Sequence, residues 1–256
     1  MTSLDLSPAP GAASRARRLR AQTAMELRLT VRNGEQMVVT FVIPLLLLIV
    51  GSRSDRFIDS DRPLDVLAPG VLGLAIVSTS FTSLAIATAF ERRYGVLKRL
   101  GATPLSRSGL LGGKVGAVAI LQVAQFAVLG GLAVALGWRP EEPVAGVVWL
   151  LVLGLLGTIA FGGLGLLLAG TLRAEATLAL ANLIYVLLLV GGGLLLPLDR
   201  HPEAARGLVT LLPSGALGEG LREAFATGSP GTFVVVVLAV WAVVAAAAAG
   251  RWFRWE

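Results

Sequence analysis

The sequence predicts an all-α, polytopic membrane protein with six transmembrane helices. Its 256 residues are 55% hydrophobic but only 15% charged, whereas soluble domains carry about 25% charged residues. The mean hydropathy is +0.78. The apolar residues form long runs of Leu, Val, Ala and Gly without the alternation of a β-barrel strand, so helices are the favoured spanning element.

Six apolar stretches are candidate spans, because a helix needs about 20 apolar residues to cross the hydrocarbon core. The first is short and requires flanking turns or a locally thinned bilayer. We expect it to be retained rather than cleaved, because no small-x-small cleavage pattern follows it. The six stretches cover residues 37–50, 66–90, 115–136, 144–170, 177–198 and 232–250.

The basic residues predict the orientation of these spans. Fifteen of the 22 Lys and Arg residues fall on the side that holds both termini, and ten of the 16 acids fall on the other. By the positive-inside rule, both termini are cytoplasmic and the chain lies in the inner (plasma) membrane. This asymmetry accounts for the net charge of +6, so the lipid bilayer is the predicted partner of the basic residues and nucleic acid is not.

The residues before the first span divide into two parts. Residues 1–13 are small and rich in Pro and Gly, which predicts a disordered cytoplasmic tail. Residues 14–36 mix Leu, Met and Val with several Arg residues, which predicts an amphipathic helix at the cytoplasmic interface. The alternative is a simple basic anchor for the first span. Residues 251–256 form the predicted cytoplasmic C-terminus.

The connection at residues 91–113 predicts compact structure rather than a solvated loop. Apolar residues between 96 and 100 share one face of a short helix, and Gly101 is suited to end it. Thr103 or Ser106 is a candidate cap for the following helix.

The connection at residues 199–231, called here the outer segment, is semi-apolar. Leu217, Leu221 and Phe225 follow at intervals of four, which predicts short amphipathic helices at the outer interface or dipping into the bilayer.

The chain lacks the residues of most catalytic and metal sites. It has no Cys and a single His, His201, which excludes thiolate and His-rich metal sites. A phosphate-binding loop around Lys114 is excluded, because Ser108 stands in place of its first glycine and Val115 in place of its Ser or Thr. Lys114 is interpreted as a snorkelling residue at a helix start. The sequence therefore predicts no enzyme and no cofactor in this chain.

Uncharged polar residues occur inside the predicted spans and have two interpretations. They form a mildly polar translocation surface, or they make hydrogen bonds between helices. No acid lies at the centre of a span, which argues against ion coupling. The residues are Ser78, Thr79, Ser80, Thr82, Ser83, Gln122, Gln125, Thr158, Asn182 and Tyr185.

One long motif resembles the signature of type-2 ABC transporter permeases. Residues 90–107 read FERRYGVLKRLGATPLSR and are followed by Gly113-Lys114, similar to the family pattern E-R-x-x-G-x-L-x-x-L-x-x-T-P-L-x with a later G-K. Residues 196–222, with Pro197 and Leu221-Arg222, resemble the outer segment of the family. The nearest likeness is to the actinobacterial drug and lipid exporters of the daunorubicin-resistance type.

The resemblance implies a permease without an ATPase of its own. Such a chain works with a separate nucleotide-binding subunit, which holds ATP and magnesium, and with a second permease, identical or a sister chain. It implies export of a hydrophobic or amphipathic drug, lipid or lipid-linked molecule. The implied contact with the ATPase is Glu91, Arg92, Arg93, Tyr94 and Gly95. The implied lining of the translocation path is Ser80, Ser83, Asn182 and Tyr185.

Two other classes remain open at this point. An ATP-independent carrier or channel predicts ion coupling and internal repeats, and no convincing inverted repeat is seen. A membrane scaffold or immunity protein, through which nothing crosses, predicts no accumulation of substrate in inverted vesicles.

Overall fold

The computed structural model describes residues 13–53 and 62–253. Across these two ranges every regular element is a helix, which confirms the all-α prediction. The predicted tail at residues 1–13 and the last residues of the chain lie almost entirely outside them. The α-helices are α1 (Arg15–Arg32), α2 (Gly34–Gly51), α3 (Pro63–Val77), α4 (Leu84–Arg93), α5 (Val96–Gly101), α6 (Arg107–Ala135), α7 (Pro143–Thr171), α8 (Ala174–Gly191), α9 (Glu203–Leu211), α10 (Pro213–Thr227) and α11 (Thr232–Trp252).

Five helices of the described chain are long and apolar enough to cross a membrane. They correspond to the second through sixth predicted spans. The apolar part of α2, Thr40–Gly51, is shorter, so the count of six spans stays a prediction. The five are Pro63–Arg93, Gly109–Ala135, Pro143–Thr171, Ala174–Gly191 and Thr232–Trp252.

The fifth span is shorter as a helix than the predicted stretch 177–198. Helix α8 ends at Gly191, and the residues that follow bend irregularly as far as Pro197. Gly193 has a φ of +78°, which an L side chain rarely adopts and glycine tolerates. Residues 192–198, called here the linker, therefore leave the helix and turn back into the fold.

The helix from Pro63 to Arg93 forms the centre of the bundle. In the most apolar 18-residue stretch of this helix 78% is buried, against 22% in α8. It packs on α7 and α10, and α7 in turn pairs closely with α11. Gly163 permits that pairing, because a Cβ there would lie 2.6 Å from the Ala245 carbonyl carbon.

A single wide turn interrupts this central helix. Residues Ser78–Ser83 are π-helical and join α3 to α4 without a break. Such π-helical turns are rare in proteins, and those that occur are often at functional sites. The turn faces α6, α7 and α8, so it lies where the central helix meets the helices around it.

The outer segment contains two helices, as its pattern predicts. Helix α9 is largely exposed, whereas α10 is inserted against α3, α7 and α11. Leu217 and Leu221 are fully buried, and Phe225 packs edge-on against Trp138 at 4.8 Å between ring centroids. The amphipathic stripe of α10 is therefore part of the core.

Candidate coupling site

The motif at residues 91–101 forms the end of α4, a sharp turn and the short helix α5. Gly95 makes the turn with a φ of +69°, a left-handed conformation that favours glycine. Helix α5 ends at Gly101, as predicted. Ser106 is the N-cap of α6, and its Oγ accepts a hydrogen bond from the Gly109 amide at 3.1 Å. The turn therefore presents α5 and Tyr94 at one end of the bundle.

Three helices meet at a buried ion cluster beside this turn. The Lys114 ammonium of α6 lies 3.0 Å from Glu26 Oε2 of α1, and 2.8 and 2.6 Å from the two carboxylate oxygens of Glu91. The Lys114 side chain is only 2% exposed, while those of Glu26 and Glu91 are 12% and 20% exposed. We call Glu26, Glu91 and Lys114 the Lys114 cluster. It fixes α1, α4 and α6 to one another through charge.

The structure corrects the interpretation of Lys114 as a snorkelling residue. Helix α6 begins at Arg107, so Lys114 is already in the helix interior instead of at its start. Its side chain turns into the protein because two carboxylates there satisfy the ammonium. A buried lysine with two carboxylate partners is a tie between helices and not a contact with headgroups.

Small residues on α6 bring α1 close enough to form this cluster. A Cβ at Gly113 would lie 2.4 Å from Gln22 Cγ, and one at Gly116 would lie 3.0 Å from Thr23 Oγ1. The Gln22 amide also donates to Glu26 Oε1 at 2.7 Å. The consecutive residues Gly113 and Lys114 thus have complementary roles. Gly113 leaves room for α1 to approach α6, and Lys114 supplies the charge that binds Glu26 of α1.

Arg92 and Arg93 of the motif reach the start of α8. Arg92 donates to the main-chain carbonyl of Leu172, just before α8, and Arg93 pairs with Glu175 in its first turn. The Arg93 guanidinium also lies 6.0 and 5.8 Å from the ring centroids of Phe90 and Tyr94. The motif therefore joins the Lys114 cluster to α8.

The five predicted coupling residues lie together but face different ways. Glu91 faces inward to Lys114, and the half-buried Arg92 faces Leu172. Arg93 is exposed beside Glu175, and Tyr94 is 63% exposed. A soluble partner can therefore reach Arg93 and Tyr94 directly, and the other residues only through them. Their role in coupling stays a prediction.

The four predicted lining residues are not brought together on one surface. Ser80 is fully buried and donates to the Ile76 carbonyl of its own helix, and Tyr185 is also buried. Ser83 is half-buried in a small cavity that Lys114 also lines, and Asn182 is exposed on α8. Only Ser83 and Asn182 are therefore accessible in this conformation.

Several other intramembrane polar residues pair between helices. Gln125 accepts from Thr79 Oγ1 at 3.0 Å and donates to the Thr40 carbonyl at 3.2 Å. Thr158 donates to Gln122 Oε1 at 2.7 Å. For these residues the structure favours interhelical hydrogen bonding over a translocation surface.

Sequence reasoning missed Glu26 and the buried role of Lys114. The available signal was that Glu26 is the single acid within the otherwise basic stretch 15–32. Among the described residues, no group of three His, Cys, Asp or Glu side chains is placed to hold a metal ion.

Known proteins are similar to this chain over a range that includes these residues. Residues 17–226 match the family described as ABC-2 type transporter. The doxorubicin resistance ABC transporter permease protein DrrC of Mycobacterium tuberculosis is 26% identical over 251 residues, which cover 93% of this chain and 89% of that protein. The transport permease YvfS of Bacillus subtilis (strain 168) is 26% identical over 159 residues. That second match covers 61% of this chain and 63%, less than two thirds, of the Bacillus protein.

The family match spans most of α1, the coupling motif, the first four of the five long apolar helices and most of α10. It contains the Lys114 cluster and the ties of Arg92 and Arg93 to the start of α8. The chain therefore belongs to the ABC-2 type transporter family of membrane permeases.

Proposed function

We propose that the chain is the membrane subunit of an ABC exporter. It moves a hydrophobic or amphipathic compound outward and is driven by ATP hydrolysis in a separate nucleotide-binding subunit. The observation that carries the proposal is the position of residues 91–95. They join an exposed aromatic residue to a buried ion cluster and to the start of α8.

The contacts supply a route for force. A subunit that presses on Tyr94 and α5 displaces the end of α4. Because Arg92 and Arg93 hold the start of α8, that helix is displaced with it. The Lys114 cluster holds α1 and α6 against the same point, so the three helices respond together. In this proposal both termini and the motif lie on the cytoplasmic side, as the basic residues predict.

The exposed face of α8 supports a second permease. Leu183, Val186, Leu187 and Val190 are all at least half exposed, and Asn182 shares the exposed side of the same helix. An amide in hydrocarbon lowers its free energy by finding a hydrogen-bond partner. A second copy or a sister permease supplies that partner, and the path for substrate then runs beside Asn182 and Ser83.

The substrate class rests on the relatives and on the apolar surroundings of this path. The similar mycobacterial protein is named for doxorubicin resistance, and doxorubicin is a fluorescent, amphipathic compound suited as a transport probe. A lipid or a lipid-linked molecule is a further member of the same chemical class.

The first test is purification of the chain from its native membrane in mild detergent, with mass spectrometry of the proteins that accompany it. We expect an ATP-binding-cassette subunit in near-equal amount. A folded chain that purifies alone contradicts the proposal and favours a carrier or a scaffold.

The second test measures ATP-dependent doxorubicin uptake into inverted vesicles. Tyr94→Ala should lower uptake severalfold without changing the amount of chain in the membrane, because the Tyr94 side chain is mostly exposed. Trp252→Ala, at an exposed aromatic residue outside the motif, is the matched control and should leave uptake unchanged. Equal uptake by the Tyr94→Ala variant and the native chain contradicts the coupling assignment.

A further inference from the structure

The first part of the linker, residues 192–194, is buried although it belongs to no helix. Leu194 is fully buried among the core residues, although residues 192–197 belong to no helix. Main-chain carbonyls that are buried inside a protein need a hydrogen-bond donor from another part of the chain. The linker therefore requires partners from another element.

Arg222 of α10 supplies those partners. Its Nη1 donates to the Leu194 carbonyl at 2.9 Å, and its Nη2 donates to the Gly193 carbonyl at 2.7 Å. The guanidinium charge is met by Glu219 Oε2, 2.9 Å from Nη2 and 3.2 Å from Nε. The residue is only 9% exposed. We call this arrangement of Arg222, Glu219 and the two carbonyls the Arg222 clasp.

Close packing makes the same two carbonyls difficult to displace. A Cβ at Gly70 of α3 would lie 2.3 Å from the Leu194 oxygen, and one at Gly218 of α10 would lie 2.5 Å from the Gly193 oxygen. The linker thus occupies a slot between α3 and α10 that only glycines on both sides leave open. Outward movement of the linker must break the hydrogen bonds of Arg222.

The clasp lies at the far end of the helix that the coupling motif holds. Helix α8 begins beside Arg93 and Glu175 and ends at Gly191, two residues before the first clasped carbonyl. We propose that Arg222 is the positioning residue that keeps the outer segment closed, by holding the linker carbonyls until α8 moves. The interpretation of the outer segment as a gate for substrate rests on the proposed function. The hydrogen bonds of the clasp do not depend on it.

A guanidinium is suited to this task in a way that an ammonium is not. Its planar fork aims several N–H groups at once, and here they satisfy two carbonyls and one carboxylate. A lysine at the same position is a point charge that can pair with Glu219 or with one carbonyl. Arg222→Lys should therefore close the linker only partly.

The absence of Cys in the chain allows a direct test with one reporter. Leu194→Cys is made in the full chain, reconstituted in lipid nanodiscs, and labelled with a polar maleimide. Adding Arg222→Gln should raise the labelling rate of the reporter about tenfold by favouring local opening, with Arg222→Lys intermediate. The matched control is Arg206→Gln, because Arg206 also donates to two main-chain carbonyls of the outer segment, those of His201 and Asp199. It should change the rate little.

A second reporter separates a clasp from general loosening. The second reporter is Ala133→Cys. Ala133 lies in α6, outside the linker and α10, and is only 1% exposed. Its labelling should not change in the Arg222 variants. Equal labelling of the Leu194→Cys reporter with and without Arg222→Gln overturns the proposal, and so does parallel acceleration at both reporters. Failure of both Arg222 variants to fold overturns it as well, because the residue is then a folding element and not a positioning one.

The proposed function is tested separately in the same sample. With the nucleotide-binding subunit and ATP added, labelling of the Leu194→Cys reporter should rise while Arg222 is intact. Absence of that rise contradicts ATP-driven opening and leaves the result for the clasp unaffected.

Discussion

The Lys114 cluster and the Arg222 clasp both bury a cation, but they use different acceptors. Lys114 meets two carboxylates carried by two other helices. Arg222 meets one carboxylate three residues away on its own helix and two main-chain carbonyls of the linker. The first arrangement ties side chain to side chain across three helices. The second joins a side chain to main-chain carbonyls of a segment that is not helical.

This difference predicts how each region responds to substitution. The acceptors of the Lys114 cluster can be removed by mutation, and removal of its cation leaves two buried carboxylates without a counter-charge. The carbonyl acceptors of the clasp cannot be removed, so its properties depend on the shape of the donor. We therefore expect the cluster to govern stability and the clasp to govern local opening.

The largest effect is expected for Lys114→Met. It leaves the largely buried carboxylates of Glu26 and Glu91 without a counter-charge, which costs about 3–5 kcal/mol of the free energy of unfolding. Thermal unfolding in detergent measures this loss, and Lys98→Met, at an exposed lysine of α5, is the control. Combining Lys114→Met with Glu26→Gln and Glu91→Gln should recover part of the loss, and no recovery would contradict the charge-based account.

A smaller effect is expected for Gly113→Ala. The new Cβ meets Gln22 close to its backbone, so α1 must shift away from α6 at a cost of about 1–3 kcal/mol. Gly130→Ala in the same helix meets nothing within 4 Å and should be neutral or slightly stabilising. Equal unfolding temperatures for the two variants would show that α1 does not depend on close packing.

A still smaller effect on the free energy of unfolding is expected for Glu219→Gln. Arg222 keeps both carbonyl acceptors and exchanges a carboxylate for a neutral amide oxygen. The cost is therefore about 1 kcal/mol, the difference between a hydrogen bond to a charged group and one to a neutral group. Unfolding of the purified chain measures it, with Glu203→Gln, at an exposed glutamate of α9, as control. A loss as large as that for Lys114→Met would remove the contrast drawn between the two regions.

The smallest effect on stability is expected for Arg93→Gln. The Arg93 and Glu175 side chains are 49% and 61% exposed, and exposed ion pairs contribute about 0–1 kcal/mol. ATP-dependent doxorubicin uptake should nevertheless fall, because the start of α8 loses its tie to the motif. Arg251→Gln, at an exposed arginine near the end of α11, should leave both stability and uptake unchanged. A parallel loss of stability and uptake would mean that Arg93 is merely structural.

Sequence patterns predicted most of the fold because lipid imposes a strong constraint. Long apolar runs can only be helices in a bilayer, so the all-α class and five long helices follow from composition. Gly101 was predicted as a helix end and Thr103 or Ser106 as a cap, and the structure has Gly101 at the end of α5 and Ser106 as the cap of α6.

The contacts between distant residues could not be read in the same way. Glu26 and Lys114 are 88 positions apart, and no periodicity links them. The end of α8 was predicted too late, at residue 198, because Leu194–Leu196 look as apolar as a span. Leu194 is buried by the slot between α3 and α10 and its carbonyl is bound by Arg222, which are tertiary features, whereas Leu196 is exposed. The π-helical turn at Ser78–Ser83 also has no pattern that predicts it.

The most direct test of the central claim is a charge exchange between the motif and α8. The chain is reconstituted with its nucleotide-binding subunit, and doxorubicin moved per ATP hydrolysed is measured for Arg93→Glu, Glu175→Arg and both together. The account predicts that each single change lowers this ratio about tenfold and that the double exchange restores most of it, as expected for directly coupled residues. Single variants with an unchanged ratio, or a double variant no better than the two singles combined, would contradict it.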